Sequence, residues 1–129
     1  MLAAMVRLSR WQEHIPFTLA ATWLGVNMAA HHARASLDGR VVTVTAANIL
    51  AVTFAFMVND VADAPDDARD PVRKARNAVS CGELSARAAW LLAALVGALA
   101  LMLYALLPLP ALLTGAVTLA LGWLYSWRA

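Results

Sequence analysis

The sequence predicts an all-α membrane protein: four transmembrane helices in a bundle, preceded by a short N-terminal interfacial helix. Of its 129 residues, 62% are hydrophobic and 14% are charged, whereas soluble domains contain about 45–50% apolar and about 25% charged residues. Several uncharged stretches also approach the roughly 20 residues that a helix needs to cross a bilayer. We therefore expect residues 1–129 to form a single membrane domain.

The elements follow from the positions of the charges. Residues 1–12 mix apolar side chains with arginines and end near Trp11, a pattern typical of a helix that lies in the membrane interface. Residues 14–33 and 41–59 are uncharged stretches of 20 and 19 residues. They are the first two predicted spans.

Residues 88–127 form one uncharged stretch of 40 residues, interrupted by Pro108 and Pro110. Proline lacks a backbone N–H and ends helices, so we expect two further spans joined by a tight turn. Asn27 and Asn48 lie inside the first two spans, where they are expected to form hydrogen bonds between helices.

The basic residues predict the orientation, because cytoplasmic loops carry most of the Lys and Arg. Eight of the ten lie before the first span, between the second and third, or after the fourth: Arg7, Arg10, Arg69, Arg73, Lys74, Arg76, Arg87 and Arg128. Both termini and the central loop should therefore be cytoplasmic. A competing interpretation, a signal peptide cleaved near Ala33-Arg34-Ala35, explains neither the length of the first apolar stretch nor the three spans after it.

Composition also argues against nucleic-acid binding and against disulfide or cysteine metal sites. The few charges are clustered near the predicted cytoplasmic loops, so no nucleic-acid partner is expected. The single cysteine, Cys81, excludes an intrachain disulfide framework and a CxxC metal site.

An acidic stretch begins where the second span ends. Five aspartates fall within eleven residues: Asp60, Asp63, Asp66, Asp67 and Asp70. If the helix continues past Pro65, then Asp60, Asp63 and Asp67 occupy about 60° of one face. Carboxylates this close to one another and to a membrane require a compensating charge. A divalent cation is the natural candidate, although a solvated acidic loop is the alternative.

The spacing of the aspartates favours Mg²⁺ over Ca²⁺. A calcium loop beginning at Asp63 would need glycine at its sixth position, which is Ala68. Mg²⁺ needs only one or two carboxylates and commonly bridges to a phosphate. The basic residues that follow, such as Arg73, could hold phosphate oxygens or could serve only the orientation rule. Together with the apolar spans, this pattern indicates an amphiphile with a diphosphate head and a hydrocarbon tail.

Three segments resemble the UbiA superfamily of intramembrane prenyltransferases. Residues 59–67 fit the motif NDxxDxxxD, residues 73–85 resemble the loop that follows it, and residues 124–128, Leu-Tyr-Ser-Trp-Arg, look like the end of the fourth helix of that family. The resemblance covers the whole chain. It implies a helix bundle around a lipid-accessible cavity, with two aspartate-rich motifs that bind a polyprenyl diphosphate through Mg²⁺.

By this resemblance, the catalytic and metal-binding residues are Asp60, Asp63 and Asp67. Asn59 would help to position the metal or the diphosphate, and Arg69, Lys74 and Arg76 would bind the diphosphate oxygens. The implied ligands are Mg²⁺, a prenyl diphosphate and membrane lipid.

The sequence contains the first aspartate motif only. We therefore expect that these residues do not catalyse prenyl transfer alone, and that a partner membrane protein or a second copy completes the bundle. Two functions remain open: one component of a prenyltransferase, or a non-catalytic accessory subunit of a larger membrane complex with a truncated prenyltransferase fold.

Overall fold

The computed structural model describes residues 2–32 and 38–127 and contains only helices and turns within these ranges. The all-α expectation is confirmed. The helices are α1 (Leu2–Ser9), α2 (Trp11–His32), α3 (Gly39–Asp67), α4 (Pro71–Arg76), α5 (Ala86–Ala105) and α6 (Leu109–Trp127). Arg34, Arg128 and the segment from Ala33 to Ala35, on which part of the orientation argument depends, lie outside the described residues.

Helix α3 is the centre of the fold and packs against all five of the other described helices. Small residues allow close packing: Ala47 and Ala51 of α3 are buried with Ala100 and Leu119 from α5 and α6. Burial of small side chains therefore brings α5 and α6 close to the apolar part of α3.

The end of α3 decides the geometry of the acidic stretch. Pro65 lies inside the helix, two residues before its last residue, Asp67. Proline removes one backbone donor, but this near the end it does not stop the helix. The condition set for the acidic stretch, that the helix continues past Pro65, is met, so Asp60, Asp63 and Asp67 belong to one helix.

Three described helices are long and apolar enough to cross a membrane, namely α3, α5 and α6, with 29, 20 and 19 residues. Helix α2 has 22 residues but is less apolar, because Pro16, Asn27 and two terminal histidines interrupt its hydrophobic sequence. The fourth span stays a prediction.

The predicted helix at residues 1–12 corresponds to α1. Its buried residues, Ala4 and Leu8, join a core cluster with Val58 and Val61 of α3. Helix α1 therefore packs directly on the acidic half of α3.

The ends of the later helices follow local chemistry. The break at the two prolines is confirmed, since α5 ends at Ala105 and α6 begins at Leu109. Asp70 caps α4: its carboxylate accepts hydrogen bonds from the backbone N–H groups of Val72 at 2.8 Å and Arg73 at 3.1 Å. These two bonds lower the pKa of Asp70 below its ordinary value, and the bond from Arg73 has the larger effect.

A polar chain connects three helices in the apolar region. The Tyr104 hydroxyl donates to Asn48 Oδ1 at 2.6 Å, and Asn48 Nδ2 donates to Thr22 Oγ1 at 2.9 Å. The prediction of an interhelical hydrogen bond is confirmed for Asn48. It is wrong for Asn27, whose side chain donates to the carbonyl of Trp23 within its own helix at 2.7 Å.

Gly115 provides the space for this polar chain, because the Tyr104 ring lies where a Cβ at position 115 would stand. We expect Gly115→Ala to push the ring aside, weaken its bond to Asn48 and destabilise the fold by about 1–3 kcal/mol, the usual cost of overpacking. Thermal unfolding in detergent, followed by circular dichroism, measures this. Gly25→Ala is the matched control, since nothing lies within 4 Å of a Cβ there. Equal changes in Tm for the two variants would contradict the packing argument.

Candidate functional site at the acidic end of α3

Asp60 is the most buried residue of the acidic stretch, with 1% of its surface exposed. Arg10, between α1 and α2, binds both of its carboxylate oxygens: Nη2 lies 2.8 Å from Oδ1, and Nε donates to Oδ2 at 3.2 Å. The guanidinium also lies 6.0 Å from the centre of the Phe56 ring. A two-point contact of this kind is among the strongest ion pairs in proteins.

Asn77 ties the loop after α4 to the same end of α3. It is fully buried, and its Nδ2 donates to the Asp60 carbonyl at 2.7 Å and to Asp67 Oδ2 at 2.9 Å. Its Oδ1 accepts from the backbone N–H groups of Val79 and Ser80 at 2.9 and 3.3 Å. One amide side chain therefore orients the Asp67 carboxylate and also the loop that follows α4.

Asp63 has a different environment. It is half-buried, and Asn59, one turn earlier on α3, donates to its Oδ2 at 2.7 Å. Within the described part of the chain, no cation pairs with Asp63 or Asp67. Neutral amides are therefore the side-chain partners of these two carboxylates, whereas Arg10 pairs with Asp60.

A groove of about 1170 Å³ reaches this site between α3 and α6. Its walls are mainly apolar and include Phe56, Leu121 and Leu124. Asn59 and Ser126 contribute polar groups to the lining, so the residue that binds Asp63 also lines the groove.

The predicted diphosphate-binding cations lie near the site but do not contact its carboxylates. Arg69 pairs with Asp66 at 2.8 Å, and Arg76 pairs with Glu13 at 3.3 Å. Lys74 lies exposed on α4. Among the described residues, none of these three cations pairs with Asp60, Asp63 or Asp67, and their role toward a diphosphate stays a prediction.

The donor set is compatible with Mg²⁺ in chemistry, although it is not arranged as a three-carboxylate cluster. Over residues 2–32 and 38–127, no group of three or more His, Cys, Asp or Glu side chains is placed to hold a metal ion. Magnesium, however, uses one or two carboxylates directly and completes its shell with water and phosphate oxygens. Asp63, Asp67 and Asn59 offer oxygen donors of the type that such a shell uses.

Comparison with known families decides the membership. The UbiA prenyltransferase family matches residues 15–129. The chain belongs to this family. A search of curated proteins and a search of solved structures found no match. The resemblance seen in the sequence is thus confirmed, and the UbiA-type acidic motif lies at the end of the central helix.

Two residues of this UbiA-type site were missed by sequence reasoning. Arg10 lies within the predicted interfacial helix, and nothing in the sequence indicates its contact with a residue 50 positions later. Asn77 falls in residues 73–85, the segment that resembles the loop after the acidic motif. No local pattern in the sequence indicates its contacts with Asp60 and Asp67, which are 17 and 10 residues away.

The bridging role of Asn77 predicts that Asn77→Asp is strongly destabilising. The change removes both donated bonds and places a carboxylate against Asp67, so a loss of about 2–4 kcal/mol in unfolding free energy is expected. Thermal unfolding in detergent measures it. Asp66→Asn, on an exposed pair with Arg69, is the control and should leave Tm nearly unchanged. An Asn77→Asp variant as stable as this control would refute the bridge.

Proposed function

We propose that this UbiA-family chain binds a polyprenyl diphosphate, with the hydrocarbon tail in the groove between α3 and α6 and the diphosphate at the acidic end of α3. The observation that carries the proposal is the position of Asn59, which lines the apolar groove and also binds Asp63. An amphiphile that filled the groove would bring its polar head to these carboxylates.

The groove suits the tail. Its volume of about 1170 Å³ exceeds that of ordinary small-molecule sites, which are about 300–1,000 Å³. Phe56 of α3 and Leu121 and Leu124 of α6 offer only hydrocarbon surface. A long apolar chain is the kind of ligand that such walls favour.

Mg²⁺ is the proposed cofactor, held by Asp63 and Asp67 with Asn59 beside them. When bound, it would neutralise charge on the diphosphate and favour departure of that group. Asp60 completes the sequence-predicted set, with its charge balanced by Arg10. The exposed cations Arg69, Lys74 and Arg76 are proposed to bind diphosphate oxygens once a ligand draws them inward.

The proposed reaction is transfer of the prenyl group to an acceptor. The groove walls would shield the allylic carbon from water while the bond to the diphosphate breaks. A non-catalytic accessory subunit would bind the same ligand without turnover, so turnover separates the two functions that the sequence leaves open.

Additional helices are proposed to complete the bundle. Large apolar side chains of α6 are exposed, among them Leu113, Val117, Leu121 and Leu124. Lipid could cover part of this face, but the groove beside it opens outward. A partner membrane protein or a second copy of the chain would close it.

The proposed topology keeps four spans, with α2 as the first, and places both termini in the cytoplasm. The acidic end of α3 would then face the cytoplasm together with the basic residues of α4. The charged diphosphate head of the ligand would then lie in the aqueous phase on the cytoplasmic side.

Mg²⁺ and the diphosphate should bind to the chain cooperatively, each increasing the affinity for the other. Titration calorimetry with a non-hydrolysable prenyl diphosphate analogue should show affinity at least tenfold higher with Mg²⁺ than with EDTA. Asp63→Asn should abolish most of that difference, since it removes one negative charge and nearly preserves shape. Asp66→Asn removes the same charge from the exposed neighbour and is the matched control. Equal affinity with Mg²⁺ and with EDTA in the wild-type chain would contradict the proposed function.

A further inference from the structure

The ion pair between Arg10 and Asp60 joins two parts of the chain with different roles. Arg10 is the residue that connects α1 to α2, and it lies before residue 15, where the match to the family begins. Asp60 belongs to the family's acidic motif. The motif is therefore in direct contact with a segment outside the matched region.

The backbone of Arg10 supports a specific role for its side chain. Its φ is +44°, and it is the one non-glycine residue with positive φ in the described part of the chain. Side-chain-bearing residues rarely adopt this conformation and keep it only where the surroundings impose it. Two interactions impose it here. The buried α1 residues Ala4 and Leu8 pack in the core cluster with α3, and the Arg10 side chain makes two contacts with Asp60.

The charges around the pair form a short alternating series. Arg10 contacts Asp60 at 2.8 Å and Glu13 at 3.6 Å, and Glu13 in turn contacts Arg76 at 3.3 Å. Asp63 and Asp67 accept hydrogen bonds from neutral amides instead. The acidic motif is thus divided: one carboxylate pairs with an internal cation, and the other two have only neutral side-chain partners within the described residues.

We propose that Arg10 is a positioning residue of the site, acting as the permanent counter-ion of Asp60 and leaving Asp63 and Asp67 to meet an external cation. The second half of this statement depends on the proposed function. The arrangement makes α1 part of the site, because its docking on α3 sets the position of Arg10. It also keeps Asp60 from competing for the metal.

A thermal double-mutant cycle tests the counter-ion role without any metal. Arg10→Gln, Asp60→Asn and the double variant are unfolded in detergent with EDTA. Each single change leaves the other member of the pair without its partner and should lower Tm. The loss of stability in the double variant should be smaller than the sum of the two single losses. Additive losses would overturn the proposal.

Metal affinity tests the positioning role, which a merely structural contact would not affect in this way. Binding of Mn²⁺ in place of Mg²⁺ is followed by electron paramagnetic resonance with inorganic diphosphate present. Arg10→Gln should raise affinity several-fold, because it releases the Asp60 carboxylate. Arg10→Lys keeps the charge but loses the two-point contact, so its affinity should lie between those of Arg10→Gln and the wild type. Arg7→Gln removes the same charge from an exposed pair with Glu83 and should stay near wild type.

The double variant Arg10→Gln with Asp60→Asn decides whether Asp60 is a metal ligand. The proposal predicts Mn²⁺ affinity within about twofold of wild type, because a neutralised pair has been replaced by a neutral one. A loss of about tenfold or more, as expected for Asp63→Asn, would overturn it. If the wild-type chain and all variants fail to bind Mn²⁺, the proposed function fails and the thermal cycle alone decides: coupling supports the counter-ion role, and additivity overturns it.

Discussion

A carboxylate buried at the end of an apolar helix requires a counter-charge, and the rest of the acidic site depends on how this chain provides one. Removing Asp60 from water is costly unless the charge is paired and hydrogen-bonded. Arg10 supplies the charge through two contacts, and the docking of α1 on α3 puts Arg10 in place. The N-terminal helix is therefore part of the support of the motif.

The same end of α3 is held from its other side by neutral hydrogen bonds. Asn77 fixes the Asp67 carboxylate and the loop after α4, and Asn59 contacts Asp63 beside the groove. An amide orients a carboxylate without pairing it with a cation, so Asp63, which Asn59 connects to the apolar groove, has no internal counter-ion among the described residues. This contrast between a compensated and an uncompensated part links the fold to the proposed binding of a charged amphiphile.

The sequence predicted those features that depend on local pattern. Long uncharged stretches predicted α3, α5 and α6, the prolines at 108 and 110 predicted the turn, and the spacing of Asp60, Asp63 and Asp67 predicted one acidic helix. The partner of each carboxylate was not predictable, since Arg10 lies 50 residues before Asp60 and only folding brings them together. Helix α2 is less clear from hydropathy. Its 22 residues are enough to cross a bilayer, but its polar side chains make it less apolar than α3, α5 and α6.

The division of the acidic motif is tested most directly by locating the metal. Crystals grown with Mn²⁺ and a non-hydrolysable prenyl diphosphate analogue would show the ion through its anomalous scattering. We expect a peak at bonding distance from Asp63, with Arg10 still bound to both oxygens of Asp60. A metal ion bonded to Asp60, with Arg10 displaced from it, would contradict the role of Arg10 as the counter-ion of Asp60.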